Sequence, residues 1–95
     1  MACEIQVYGT DWCGLTRRVR EYLTNSRLPH DYFDIERNAD AQQFMLAMND
    51  GHRRLPLVVV RHRVMLDPTM PALQRVLSAQ GFAAITKVAR RRKRR

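Results

Sequence analysis

The chain has 95 residues, enough for one small domain with a single hydrophobic core. Hydrophobic residues make up 45% of it, a fraction typical of globular proteins, which excludes disorder throughout. Its 17 basic and 9 acidic residues give a net charge of +8, but seven of the basic residues fall within 87–95. The rest of the chain is therefore nearly neutral, and the basicity belongs to the C-terminal segment.

The cysteine count and the distribution of apolar residues narrow the class of protein further. Two cysteines, Cys3 and Cys13, are too few for a disulfide scaffold. No apolar run is long enough to span a membrane, and the N-terminus lacks the pattern of a secretory signal. We therefore expect a monomer in the reducing cytoplasm, where a cysteine at a helix start is more often redox-active than structural.

The first half of the chain predicts two strands that alternate with two helices. Alternating polarity predicts a strand over 4–8. A helix over 13–25 is predicted from an apolar face at helical spacing, made of Leu15, Val19, Tyr22 and Leu23. An aromatic-rich stretch predicts a second strand over 30–35. Asn38 or Asp40 is expected to cap the second helix. The apolar stripe of that helix comprises Ala41, Phe44, Met45 and Met48.

The second half predicts two further strands and a third helix. The apolar run over 57–60 is typical of a strand buried on both faces, and a strand over 64–66 follows a short basic turn. Asp67 or Thr69 is expected to cap the third helix, which ends near Gly81. The core-facing residues of this helix are Met70, Leu73, Val76 and Leu77.

The resulting element order is βαβαββα, which belongs to the α/β class. Strands joined by a helix pair in parallel, whereas strands joined by a short turn pair antiparallel. We therefore predict a four-stranded mixed sheet with helices on both faces, formed by residues 1–81. Residues 82–95 are predicted to add a short helix over 82–90 and a disordered basic tail.

The sequence YGTDWCGLT over residues 8–16 places Cys13 between a strand end and a helix start. The free N–H groups of the first turn and the helix dipole favour the thiolate, which is the nucleophilic form. Arg17 adds positive potential and Asp11 opposes it, and we expect a lowered pKa for Cys13. Thr16 stands where a dithiol site would carry its second cysteine. Its hydroxyl could donate to the Cys13 sulfur, or it could be an ordinary surface threonine.

Cys3 is not expected to resolve a disulfide formed by Cys13. It begins the first strand, and a strand over residues 3–8 spans ~16 Å at ~3.3 Å per residue. A disulfide needs Cα atoms within ~7 Å of each other. Resolution by Cys3 would therefore require the strand to leave the sheet.

Four segments resemble the glutaredoxin family of thioredoxin-fold proteins, over roughly residues 4–78. The first is VYGTDWCG over 7–14, which is similar to the strand, turn and helix around the family's nucleophilic cysteine. The others are Asp34-Ile35 at the second strand end, Leu55-Pro56 with the strand that follows, and 66–69 at the last helix start. The sequence around the cysteine most resembles that of mycoredoxin-like proteins of mycothiol-using bacteria.

The chain also departs from the family pattern. Thr16 replaces the second cysteine, and Leu55 stands where the family usually has Thr or Ser. Gly9 stands where many glutathione-binding members carry lysine. The run Cys-Gly-Leu-Thr over 13–16 is close to, but differs from, the Cys-Gly-Phe-Ser of iron–sulfur-binding members.

The resemblance implies a thioredoxin fold and a thiol–disulfide oxidoreductase that acts on protein mixed disulfides through Cys13 by a monothiol mechanism. It implies mycothiol or glutathione as co-substrate, no bound cofactor, and a cis Leu55–Pro56 peptide bond whose backbone pairs with the small thiol. The residues expected to bind the small thiol are Trp12, Arg54, Leu55, Pro56, Asp67 and Thr69. Structural roles compete with this assignment: Trp12 packing on the sheet, a solvated loop at Arg54, and capping by Asp67 or Thr69.

Two other functions fit the same residues. An iron–sulfur carrier would share a cluster between Cys13 of two chains, because no set of metal ligands is visible within one chain. A non-catalytic module would bind nucleic acid or acidic surfaces through its tail, residues 87–95. A solubilising C-terminal segment is the simpler interpretation of that tail.

Overall fold

The structure is a computed structural model that describes residues 3–51 and 54–82. Within these residues the elements follow the predicted βαβαββα order. The strands are β1 (Ile5–Gly9), β2 (Asp31–Asp34), β3 (Leu57–Val60) and β4 (Arg63–Leu66), and the helices are α1 (Gly14–Asn25), α2 (Ala39–Met48) and α3 (Met70–Ala79). Apart from Phe82, the predicted helix over 82–90 and the basic tail lie outside the described residues.

The four strands form one mixed sheet in the order β2-β1-β3-β4. β1 pairs in parallel with β2, whereas β3 pairs antiparallel with both β1 and β4. The parallel pair is connected through α1, and the antiparallel pair β3–β4 is connected by the short turn after Val60. The predicted sheet topology is confirmed.

Helices cover both faces of the sheet, as predicted. α1 and α3 cover one face, and α2 covers the other. The core under α1 and α3 consists of Ile5, Val7, Val19, Leu23, Leu28, Val58, Val60, Leu73 and Leu77. The core under α2 consists of Ile35, Ala41, Met45, Leu57 and Val59. All four residues of β3 are buried because this central strand contributes side chains to both cores.

The structure decides between the alternative helix caps. The Asn38 side chain accepts a hydrogen bond from the Ala41 N–H at 3.0 Å and caps α2, so capping by Asp40 is wrong. Thr69 caps α3 in the same way, so capping by Asp67 is also wrong. A short side chain in an extended backbone conformation satisfies an otherwise free first-turn N–H in both helices.

The apolar stripe of α2 is buried along only part of its width. Ala41 and Met45 are buried, but Phe44 and Met48 are 36% and 40% exposed. The Phe44 ring nevertheless contacts the Tyr8 ring, with centroids 5.0 Å apart. Within the described residues no second helix packs on this face beside α2, so the outer half of the stripe has nothing to cover it.

The buried face of α1 includes a threonine in place of the expected leucine. Leu15 is 42% exposed, whereas Thr16 is fully buried together with Val19 and Leu23. Thr16 lies directly against Gly9, the last residue of β1. A Cβ atom on Gly9 would lie 2.3 Å from the Thr16 Oγ1 and 2.6 Å from its Cγ2. The close approach of α1 to β1 at this point therefore requires glycine.

We expect Gly9→Ala to lower the free energy of unfolding by about 1–3 kcal/mol, because the added methyl group overlaps the Thr16 side chain. Chemical denaturation would measure the loss. Thr16→Ala removes both overlapping atoms. It should therefore lower the free energy of unfolding less in the Gly9→Ala variant than in the wild-type chain. Strictly additive losses in the double variant would contradict this contact.

Candidate active site

Cys13 occupies the N-cap position of α1, directly after the turn that follows β1. Its backbone is extended, with φ −81° and ψ 120°, and its carbonyl accepts the Arg17 N–H at 3.1 Å. The Cys13 N–H donates to the Thr10 carbonyl at 3.3 Å, which closes the turn. The partly buried cysteine therefore precedes the first free N–H groups of the helix, as the sequence predicts.

Opposing influences act on the thiol of Cys13. Partial burial raises its pKa, whereas hydrogen bonding from the Thr16 hydroxyl and from the N–H groups of Thr16 and Leu15 lowers it. The Asp67 carboxylate raises the pKa again, and the result is a pKa below the usual value. The predicted direction is confirmed, but the acid that opposes it is Asp67 rather than Asp11.

The Thr16 side chain is fully buried, so its interpretation as a surface threonine is wrong. Among the described residues it makes no hydrogen bond of ordinary geometry, yet it is close enough to lower the Cys13 pKa. A hydroxyl proton turns to suit its acceptor, and a buried hydroxyl without a partner costs free energy. We therefore assign its hydrogen bond to the thiolate form of Cys13.

The two residues before the cysteine are fixed to β2 and to the turn after it. Asp11 Oδ1 accepts the Tyr32 hydroxyl at 2.9 Å and lies 3.8 Å from the Arg20 guanidinium. Trp12 Nε1 donates to a Glu36 carboxylate oxygen at 3.1 Å. The Trp12 side chain is 66% exposed, so the expectation that it packs on the sheet is wrong. Its ring remains available for contact with a ligand beside the cysteine.

The proline loop is joined to the segment before α3. The Leu55–Pro56 peptide bond is cis, as the resemblance implies. The Asp67 N–H donates to the Pro56 carbonyl at 2.9 Å, and Asp67 adopts a left-handed backbone with φ 49°. Because the Asp67 carboxylate also acts on the pKa of Cys13, this segment lies near the thiol.

The other predicted site residues are less closely tied to the thiol. Arg17 and Arg54 are exposed, and neither forms a salt bridge with any of the described residues. The Arg54 carbonyl accepts from Asn49 Nδ2 at 3.5 Å, and Thr69 uses its side-chain oxygen to cap α3. Roles for these residues toward a thiolate or a small thiol stay predictions.

Cys3 lies before β1, whereas Cys13 follows it, and both are free. Partial burial and the neighbouring Asp31 carboxylate raise the pKa of Cys3. Its N–H donates to Asp31 Oδ2 at 2.7 Å. Cys3 is therefore the less reactive thiol and stands at the other end of the strand.

Residues 3–51 and 54–82 contain neither a cluster of metal-ligating side chains nor a helix suited to crossing a membrane. No group of three or more His, Cys, Asp or Glu side chains there is arranged to hold a metal ion. None of the helices has the length and apolar character needed to cross a membrane.

Comparison with known proteins assigns the chain to a family. The Glutaredoxin family model matches residues 5–65. This chain belongs to the glutaredoxin family. A Mycobacterium tuberculosis protein named as a candidate glutaredoxin is 39% identical over 54 residues, which cover 57% of this chain and 64% of that protein. Mycoredoxin 1 of Corynebacterium glutamicum is 30% identical over 54 residues, which cover 57% and 66%. This glutaredoxin thus spans less than two thirds of these relatives' length.

A solved structure shows the same fold. A mutant of the thioredoxin-like protein BC3987 superposes on this glutaredoxin with a TM-score of 0.71 and 27% sequence identity. The match covers 79% of this chain and 95% of that chain. The thioredoxin fold that the resemblance implies is confirmed.

We expect Thr16→Val to raise the pKa of Cys13, because valine keeps the shape of threonine but cannot donate to the thiolate. The midpoint of Cys13 alkylation by iodoacetamide should move to higher pH. Peptide mass spectrometry would measure the extent of alkylation of each cysteine at each pH, with Cys3 as an internal reference. Thr16→Ser, which keeps the hydroxyl, should retain the wild-type midpoint. Unchanged Cys13 profiles in Thr16→Val would contradict a hydrogen bond from this hydroxyl.

Proposed function

We propose that this glutaredoxin reduces mixed disulfides between proteins and a small thiol by a monothiol mechanism through Cys13. The observation that carries the proposal is the pairing of a pKa-lowered Cys13 with a buried Thr16 three residues later. The position that would supply an internal second thiol holds a hydroxyl, and Cys3 precedes the far end of β1. The second thiol must therefore come from solution.

The mechanism conserves atoms and electrons with one protein thiol. The Cys13 thiolate attacks the small-thiol sulfur of the mixed disulfide, and the substrate protein leaves as a thiolate that takes a proton from water. Cys13 then carries the small thiol in a disulfide. The thiolate of a second small thiol attacks the small-thiol sulfur of that disulfide, which releases the oxidised small-thiol dimer and restores the Cys13 thiolate. Each turnover thus consumes one free small thiol, whose sulfur is oxidised to the disulfide level as the sulfur of the substrate protein is reduced to a thiol.

The small thiol is proposed to bind between Trp12 and the joined segments at Leu55-Pro56 and Asp67. The exposed indole offers an apolar wall, and the loop backbone offers main-chain hydrogen bonds. The Asp67 carboxylate can accept from an amino or hydroxyl group, and Arg54 can pair with a carboxylate. These groups suit glutathione or mycothiol, and similarity to mycoredoxin 1 favours mycothiol.

A cytoplasmic location is part of the proposal, because a pool of reduced small thiol is needed for turnover. Thiolated proteins are the second substrate. Polyanion binding by residues 87–95 stays a prediction, since these residues lie outside the described part of the chain. Nothing in the described residues favours the iron–sulfur carrier or the non-catalytic module.

Cys13→Ser should reduce the rate of mixed-disulfide reduction to the uncatalysed background, since serine is not a nucleophile toward disulfides at neutral pH. Cys3→Ser is the matched control and should keep wild-type activity. The assay would use a peptide disulfide-bonded to mycothiol or to glutathione, with the same small thiol in excess. Equal activity in Cys13→Ser and wild type would overturn the proposal, and loss of turnover in Cys3→Ser would replace it with a two-cysteine mechanism.

A further inference from the structure

A cleft of about 310 Å³ lies between β4 and α3, apart from the redox site. Its lining includes Arg63 and Met65 from β4, Arg75 and Val76 from α3, and Gln80 directly after α3. β4 runs from Arg63 toward Leu66, and the next residue is the acid that acts on Cys13. The arginine end of β4 is therefore the end away from the active site.

The two arginines of the cleft have no acidic partner. All nine Asp and Glu side chains of the chain lie within the described residues, and none is within 4.0 Å of Arg63 or Arg75 as a salt bridge. Arg61, close by in the sequence, does pair with Glu4 at 3.4 Å. The cleft therefore combines two available guanidinium groups with an apolar surface, and no acidic residue lines it.

β4 is also an edge strand within the described sheet. Arg63 and Met65 line the cleft beside α3, and because side chains alternate along a strand, Val64 and Leu66 point to the opposite face. These two apolar side chains are 38% and 37% exposed. An edge strand presents backbone N–H and C=O groups that can pair with another extended chain.

We propose that β4 binds an extended segment of a partner protein in which acidic residues alternate with apolar residues. Pairing along β4 would place alternate side chains of this segment on opposite faces of the enlarged sheet. The acidic set would meet Arg63 and Arg75, and the apolar set would cover Val64 and Leu66. This proposal does not rest on the redox activity of Cys13.

The observations favour this occupant over two others. A second copy of the chain, paired through its own β4, would bring basic side chains toward basic side chains, and like charges across strands are destabilising. A nucleic acid would satisfy the guanidinium groups through its phosphates but would leave Val64 and Leu66 uncovered. Alternating acidic and apolar side chains match both faces of the strand.

The test measures binding of a fluorescent, capped peptide of alternating Glu and Val to the full chain. We expect Arg63→Gln combined with Arg75→Gln to weaken this binding at least about tenfold, because two charge-assisted contacts are lost. Arg18→Gln combined with Arg27→Gln is the matched control. It removes the same charge from exposed positions elsewhere and leaves the basic tail unchanged, so its affinity should stay within about twofold of wild type.

Amide NMR spectra provide the second measurement. The peptide should shift the resonances of Arg63–Leu66 and slow the amide exchange of outward-facing N–H groups in β4. Equal weakening in both double variants would show a general charge effect and overturn the proposal. Equally tight binding of a Lys and Val peptide would overturn it too. The proposal would also be overturned if the chain bound a single-stranded oligonucleotide through Arg63 and Arg75 and did not bind the peptide.

Discussion

The contact between Thr16 and Gly9 joins the first full turn of α1 to the last residue of β1. The Thr16 side chain fills the space that any side chain at position 9 would need. This close approach sets the position of Cys13, which stands between the two elements at the N-cap of α1. The hydroxyl of the same side chain also lowers the pKa of Cys13, so one residue affects both the location and the electrostatics of the thiol.

The reactivity of Cys13 is the result of a balance rather than of one strong interaction. Partial burial and the Asp67 carboxylate oppose ionisation, and hydrogen bonds from α1 and from Thr16 favour it by more. The turn that carries the cysteine is itself held by two side-chain contacts, Asp11 with Tyr32 and Trp12 with Glu36. These contacts keep the thiol at the helix start, where the free N–H groups act on it.

The sequence predicted the element order, the sheet topology and Cys13 because these depend on local patterns. Alternation, helical spacing and turn residues are sufficient to place β1, α1 and the β3–β4 hairpin within one or two residues. It did not predict that Leu15 is exposed and Thr16 buried. The choice between neighbouring helix positions depends on where α1 meets β1, and a threonine carries too weak an apolar signal to mark a core position.

The same limit applies to contacts between distant segments. Tyr32 and Glu36 received no role from the sequence, although parallel pairing of β1 with β2 brings the segments after both strands to one edge. That topology was the signal available for finding them. The exposure of Phe44 and Met48 has a related cause, because a helical stripe does not show how much of the sheet a single helix can cover.

The central claim is that Cys13 works without a thiol partner inside the chain. Its most direct test is to treat the reduced full chain with the disulfide of glutathione or mycothiol, digest it without reductant, and identify the disulfide-linked peptides by mass spectrometry. The account predicts one small thiol on Cys13 as the main product. A disulfide between Cys3 and Cys13 as the main product would contradict it.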